Sequence, residues 1–389
     1  MHPSLPGHLT QYLTQTFNEG PDNWKYCLRS PGRVNLIGEH VDYTGGLVLP
    51  AAINYAIYFV ARPIEAPEWR LHAVDLDEKI TLPLPLDGRS GLLWADYLKG
   101  IGVQFQDQGQ FLPGLEVVFG GDLPRGSGMS SSAALEGGMA FLLNEILDAQ
   151  FSRPALAALC QRSSNTYLDI PSGIMDQFAS LNGSATGPII LNCHTLSSEP
   201  IKNELRDYGF LLVNSMVSHN LSEGAYAERV RECRQALEAI QALYPRVTHL
   251  SATLPDQLAA VQQQLDENVR KRATYVVDEN KRVGRAVLAL EAGSSVELGR
   301  LLNETHAGLR DLYEVSCEET DFLQRFAADH PDVAGARMMG GGFGGCTINL
   351  VRNSAVEAFK EDITTAYREA YGIVPECYPV VLASGTQFI

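Results

Sequence analysis

The apolar residues of this chain follow two patterns in succession. In the first third they come in short runs rich in Val, Ile and Tyr, bounded by Gly and Pro, which predicts strands. Tyr26-Cys27-Leu28-Arg29 predicts a strand ending at the Pro31-Gly32 break, and residues 46–62, 81–84 and 115–119 predict others. Helical periodicity then takes over. Ala- and Leu-rich runs predict helices over 133–147 and 154–168. Beyond residue 193, Phe210-Leu211-Leu212-Val213 reads as a buried strand. Tyr226, Val230, Cys233, Leu237, Ile240 and Tyr244 alternate spacings of four and three, which puts them on one face of a helix over 225–243. Further helices are predicted over 255–272, 278–292, 295–303 and 355–371, and strands over 346–351 and 378–382, the latter closing the chain. Strands first and helices grouped later predict an α+β fold rather than a doubly wound sheet. The change of pattern divides the 389 residues into two expected domains, 1–192 and 193–389, with the last strand free to return toward the first.

Charge narrows the function classes. Thirty Lys and Arg against 46 Asp and Glu give a net charge of −16. Neither a nucleic-acid coat nor a protein that coats anionic membranes is built that way, since both need a basic excess. A phosphate ligand stays open, because backbone amides at a helix N-terminus hold one without net positive charge. The seven cysteines include no C-x-x-C pair, which argues against a disulfide framework or zinc site and for a reducing cytoplasm. The N-terminus lacks the pattern of a signal peptide, and the longest apolar stretch, residues 47–61, is broken by Pro50 and Asn54.

Three segments carry candidate chemistry. The first is Pro124 to Ala134, where Gly126 and Gly128 precede Ser130, Ser131 and Ser132 and then a helix. Glycines permit close backbone approach, and free amides plus the dipole make the helix start an anion cradle. A Gly-Ser turn with a serine N-cap is the alternative reading. The loop is not a Walker A motif, because no lysine follows a glycine anywhere in the chain. The second segment, Gly340 to Gly345, has five glycines in six positions and implies a backbone packed against another loop or a ligand. The third, Arg33 to Gly46, gathers Arg33, Glu39, His40 and Asp42, a set suited to reading several hydroxyls of a polyol. One histidine and two acids make a weaker case for a metal.

Taken together, these segments resemble a known family. Residues 32–50 look like the galactokinase signature, and residues 124–134 are similar to the phosphate loop of the wider GHMP sugar and metabolite kinases. Residues 340–347 resemble the third GHMP motif. Gly173-Ile174-Met175-Asp176-Gln177-Phe178 resembles the galactokinase catalytic segment, and Trp94-Ala95-Asp96-Tyr97 also fits. The matches run in order from about residue 25 to 351.

The resemblance implies a two-lobed GHMP-kinase fold, with a strand-rich N-terminal domain, a C-terminal domain of helices plus antiparallel sheet, and the active site between them. It implies ATP-dependent phosphorylation of galactose at the anomeric C1 hydroxyl, with Mg2+ and a monomeric enzyme. Asp176 would face that hydroxyl with Arg33 beside it, an arrangement that favours the carboxylate over the acid. Glu39, His40, Asp42, the backbone at Gly173 and Tyr226 would contact the sugar. Gly126, Gly128, Ser130, Ser131 and Ser132 would cradle phosphate, Ser132 would meet magnesium, and Trp94 would wall the adenine pocket, with Arg125 adding local positive charge. Tyr226 also suits the apolar core of its helix, and Trp94 plain packing.

Several positions depart from the pattern. The family's magnesium glutamate falls at Ser164, with Asp169 the nearest acid in sequence, and a basic residue is common where this chain has Ser218. Threonine is usual at Val41 and Met339, and residues 383–386 fit poorly. Two alternatives follow: a 1-kinase for a related sugar such as N-acetylgalactosamine, or a sugar and ATP sensor with little turnover.

Overall fold

A computed structural model describes residues 5–124, 126–218 and 222–389. Arg125 and the side chain of Ser218, both singled out in the sequence, lie outside the described residues. The first half of the chain runs α1 (Gly7–Phe17), β1 (Tyr26–Asn35), β2 (Leu47–Val48), β3 (Pro50–Ile64), β4 (Glu68–Ala73), β5 (Glu78–Pro83), α2 (Leu93–Asp107), β6 (Gly114–Gly121), α3 (Ser131–Ile146), α4 (Arg153–Arg162), α5 (Met175–Asn182), β7 (Ile189–Asn192) and β8 (Ser198–Pro200). The second half runs β9 (Tyr208–Ser218), α6 (Ser222–Leu243), α7 (Pro255–Val261), α8 (Glu267–Glu291), α9 (Ser295–Gly308), α10 (Glu318–Asp329), β10 (Val333–Met338), β11 (Gly344–Arg352), α11 (Val356–Tyr371), β12 (Glu376–Val380) and β13 (Gln387–Phe388).

Two main sheets carry the architecture. The first is six-stranded in the order β13-β1-β3-β6-β4-β5, antiparallel except for the parallel β4–β6 pair. Helices α3 and α5 pack on β1 and β3 through residues such as Phe59, Met139 and Phe178, while α1 covers the other face with Leu9 and Leu13 against Tyr58 and Val60. The second sheet, β10-β11-β9-β12, is antiparallel and packs on α9, α10 and α11. This is the expected α+β arrangement. Among the described residues, no helix is long and apolar enough to cross a membrane.

Four local expectations change. Strand β1 does not end at Pro31-Gly32 but runs through it with a bulge, where pairing to β3 shifts register between Pro31 and Arg33. The bulge is where the 124–132 loop crosses: the Arg33 amide donates to the Met129 carbonyl at 3.0 Å, and a Cβ on Gly32 would lie 2.7 Å from that oxygen. The helix expected over 255–272 breaks after Val261, where a short turn leads to the extended Leu265, and the one over 278–292 is the later part of α8, continuous from Glu267. Arg272, expected to end the earlier helix, is buried inside α8, donating to Glu232 at 3.0 Å and Glu314 at 2.8 Å. Near its end α4 widens into an i→i+5 turn over Ser163–Tyr167, closed by the Leu168 amide on the Ser163 carbonyl at 3.1 Å. Finally, the strand expected to close the chain is β12, beside β9; the return to the first sheet is made later by β13, pairing Phe388 with Leu28.

Candidate active site

Arg33 leaves the end of β1 and Asp176 sits in the first turn of α5. They meet face to face: Arg33 Nε donates to Oδ1 at 2.8 Å and Nη2 to Oδ2 at 2.6 Å. This bidentate geometry fixes the carboxylate plane. Ser130 Oγ donates a further bond to Oδ2 at 2.5 Å, and Arg33 Nη1 is held by the Gly128 carbonyl. The arginine is buried, while about a third of the Asp176 side chain remains open (32 %) and lines a pocket of about 180 Å³. Arg33, Glu39, His40, Asp42, Gly173 and Tyr226 also line that pocket. The sequence-predicted sugar and catalytic residues thus converge.

The polar loop after β1 forms the opposite wall. Glu39 accepts from Asn35 at 3.1 Å, from Arg337 at 3.1 Å and from the Gly340 amide at 2.8 Å. Its own carbonyl accepts from the Tyr275 hydroxyl at 2.9 Å. His40 adopts φ 58°, a left-handed backbone that aims its ring between Tyr43 OH at 3.0 Å and the Gly341 carbonyl at 3.2 Å. Burial pushes the His40 imidazole down to about 4, so it is neutral at pH 7. Asp42 is pushed up to about 7, by burial first and by the Asp176 charge second. Its carboxyl rests directly on Gly173, where a Cβ would come 1.6 Å from Oδ2. That contact is why the position takes a glycine. Tyr226 packs edge-on to Tyr43 with ring centroids 5.3 Å apart, so it belongs to the pocket wall as well as to its helix.

Across the cleft, Gly126 and Gly128 take φ of 69° and 73° and lead into α3. Ser130 stands at the N-cap position with φ 59° and makes no capping bond, because its hydroxyl is turned to Asp176. Ser131 and Ser132 instead line a separate cavity of about 460 Å³ with Trp94, Tyr97, Phe119 and Leu135. Trp94 packs on Phe119 at 5.6 Å and its indole N–H is held by Glu78. An apolar slot opening onto the start of a helix suits a planar base with phosphates attached.

Of glycines 340–345, Gly342 packs against the loop at Val315, whereas Gly340 and Gly341 line the sugar pocket, where an added Cβ would meet nothing within 4 Å. The Phe343 amide bonds the Val315 carbonyl at 2.8 Å, and Gly340 and Gly341 clasp Glu39 and His40. Sequence reasoning missed Arg337, just before this cluster. Fully buried in β10, it donates to the Leu36 carbonyl at 2.8 Å, to the Asn35 carbonyl and to Glu39. The available signal was a lone arginine in an otherwise apolar run, Val333 to Met339.

Magnesium would find few protein ligands here. Ser132 offers a hydroxyl beside the Tyr97 phenol at the mouth of the nucleotide-shaped cavity. Ser164 is buried and turned away, donating to Glu136 Oε1 at 2.7 Å; Gln177 holds Oε2 at 3.2 Å. Asp169 is largely exposed and paired with Arg89 at 2.7 Å. Among the described residues no group of three or more His, Cys, Asp or Glu could hold a metal. The residues fit an ion carried mainly by phosphate oxygens, with Ser132 as a protein ligand, and not an all-protein site.

Known proteins resemble this chain along most of its length. Residues 13–63 match the galactokinase galactose-binding signature, residues 96–184 the GHMP kinases N terminal domain and residues 286–369 the GHMP kinases C terminal. A galactokinase of Roseiflexus sp. (strain RS-1) is 38 % identical over 96 % of this chain and 94 % of its own, and one of Lactococcus lactis subsp. lactis is 37 % identical over 92 % and 90 %. The crystal structure of Lactococcus lactis galactokinase complexed with galactose superposes with a TM-score of 0.92 at 36 % identity, covering 98 % of this chain and 99 % of that one. A mevalonate kinase, at TM-score 0.65 and 17 % identity over 92 % of this chain and 99 % of its own, shares the fold.

Proposed function

The chain belongs to the galactokinase family of the GHMP kinases, and from that premise we propose that it transfers the γ-phosphoryl group of ATP to the anomeric hydroxyl of galactose. The products are galactose 1-phosphate and ADP. The observation that carries the reading is the open edge of Asp176, clamped by Arg33 and Ser130 and facing a pocket lined with polyol-reading groups.

The two oxygens of Asp176 are not equivalent. Oδ2 already accepts from Arg33 and Ser130, whereas Oδ1 accepts from Arg33 alone. Oδ1 therefore has a lone pair to spare and is the atom that accepts the C1 hydroxyl proton as that oxygen attacks phosphorus. Arg33 keeps the carboxylate from rotating. Glu39, Asp42 and neutral His40 read the remaining hydroxyls and orient the ring, so that the reaction gains from positioning as well as proton transfer. Trp94 and Phe119 take the adenine, while the start of α3 and its Ser131 and Ser132 take phosphates. A phosphate-bound magnesium would find Ser132 as its protein ligand, and the chemistry it supplies is neutralisation of phosphate charge. The unpaired cysteines, several of them buried, suit a reducing compartment, and the cytoplasm is the proposed location.

The test is a sugar panel with ATP and magnesium, read by ADP release and by NMR of the product. Galactose should turn over and give an anomeric phosphate. Asp176→Asn should keep the fold and the galactose affinity while kcat falls by about a thousandfold. Turnover of N-acetylgalactosamine without galactose would overturn the substrate, and binding of both ligands without turnover would overturn the activity.

A further inference from the structure

Behind the sugar pocket lies a second cavity of about 500 Å³, within the roughly 300–1,000 Å³ range of small-molecule sites. Asp42 and Tyr43 line both, so one tight turn separates the two spaces. None of the chemistry above uses the second cavity.

Its lining is polarised. At the floor are Asp42 and Gln161, whose Nε2 donates to the Ser172 carbonyl at 3.1 Å and whose Oε1 has no bonded partner among the described residues. Toward the mouth stand His194, His249 and Arg234. The imidazoles stack with centroids 4.1 Å apart and planes inclined by 20°, and the exposed Arg234 side chain donates its Nε to Glu238 at 3.0 Å, an exposed i,i+4 pair that a phosphate can compete with through the remaining guanidinium N–H groups. Thr248 engages His249 Nδ1 at 2.9 Å, which leaves Nε2 without a bonded partner among the described residues. Burial and the neighbouring His194 hold the His249 imidazole below its ordinary value, a condition that an anion seated on the pair would relieve. The dividing turn is clasped from this side. A Cβ on Gly45 would touch the His249 ring at 2.7 Å, the Cys193 amide holds the Gly46 carbonyl at 3.0 Å, and Thr44 bonds Ser251 at 2.7 Å.

We propose that this cavity is a regulatory site for a hexose monophosphate, with hydroxyls at Asp42 and Gln161 and the phosphate at His194, His249 and Arg234. A neutral hexose would leave the imidazole pair and the outer guanidinium N–H groups without an anion, and free phosphate would leave the floor unread. Because Asp42 serves both spaces, occupancy here draws on a carboxyl that the sugar pocket also needs, and the two ligands weaken each other reciprocally. The proposal rests on the kinase reading only in its choice of probe, the product galactose 1-phosphate.

The experiment is calorimetric titration of galactose 1-phosphate into the full chain with galactose saturating the catalytic pocket. Wild type should bind one further equivalent. His194→Ala/His249→Ala should weaken that event at least tenfold, and Arg234→Glu, a surface change that cannot unfold the protein, should do the same, with kcat and KM for galactose within about twofold of wild type. A parallel titration with inorganic phosphate, again with galactose saturating the catalytic pocket, should show binding at least tenfold weaker. Heat that only reports displacement of galactose, binding unmoved in Arg234→Glu, or inorganic phosphate binding as well as the sugar phosphate would each overturn the proposal. Failure of the kinase reading shows separately, as absence of ADP release.

Discussion

The two walls of the cleft are built on opposite principles. On the sugar side nearly every polar group is held by a partner: Glu39 by three donors, His40 by Tyr43 and a glycine carbonyl, the turn itself by Arg337 and Tyr275. On the phosphate side the chain offers backbone and space. A Cβ on Gly126 would meet nothing within 4 Å, and one on Gly128 would approach only Met339, at 3.8 Å. The difference matches what each wall must recognise. A neutral sugar is distinguished by the directions of its hydroxyls, which demands side chains fixed in advance. A polyphosphate brings its own charge and is caught by amides at a helix start, which needs room.

The sharpest way to break the sugar wall is at Arg337. Arg337→Met keeps much of the side-chain volume but leaves Glu39 buried and short of its cation. Removing one partner of a buried pair costs about 3–5 kcal/mol. Denaturant melts should show a loss of that size, and galactose affinity should fall far more than ATP affinity in calorimetric titrations. An equal loss for both ligands would mean that Arg337 supports the fold generally and not the sugar wall in particular.

How much of this was legible beforehand depended on where each residue sits. The motif residues lie on turns and helix starts, where geometry restricts residue type, so the Arg33–Asp42 polar run, the serine-rich loop and the 340–345 glycines stand out in the bare sequence, whereas Asp176 is one acid among many and is picked out only by the family resemblance. What stayed hidden depends on contacts between distant segments. Arg337 meets Asn35 and Glu39 across roughly three hundred residues, and a buried arginine in a strand looks like any surface charge. The continuity of α8 across 273–277, between two predicted helices, was hidden as well; there Arg272 is tied to Glu232 on α6. The direction of the Ser130 hydroxyl was hidden too: a serine before a helix reads as a cap, and only the meeting of α3 with α5 turns it to Asp176. Short strands β4 and β10 and helices α1, α2 and α10 had patterns too brief or too mixed to separate from loops.

Between the walls in expected effect lies Glu136, buried on the phosphate helix α3 with Ser164 and Gln177 as donors. Burial pushes its carboxyl from the ordinary 4.5 up to about 7. A group raised on folding stabilises fully below its unfolded value, and that contribution is lost as pH rises through the folded one. Wild type should therefore lose stability between about pH 4.5 and 7 relative to Glu136→Gln, which keeps the shape and removes the ionisation. The difference should be on the order of 3 kcal/mol by pH 8, since each tenfold change in proton affinity is worth about 1.4 kcal/mol. Thermal melts of both proteins across pH test it; Asp42, raised in the same direction, cancels in the comparison. Parallel curves would mean that the site stays hydrated enough to carry the charge.

The smallest effect should come from the open wall. At Gly128, with φ 73°, an added methyl group meets free space, so Gly128→Ala costs only the backbone strain of a left-handed alanine, about 1 kcal/mol. The strain bears on the loop whose carbonyl holds Arg33, yet the sugar contacts lie on other elements. Galactose affinity should stay within about twofold of wild type, and KM for ATP should rise by roughly tenfold as the methyl group crowds the space phosphates need. Initial-rate kinetics with each substrate varied in turn separate the two. If KM for galactose rose as much as KM for ATP, the walls would not be independent, and the Arg33–Gly128 bond would be the link that couples them.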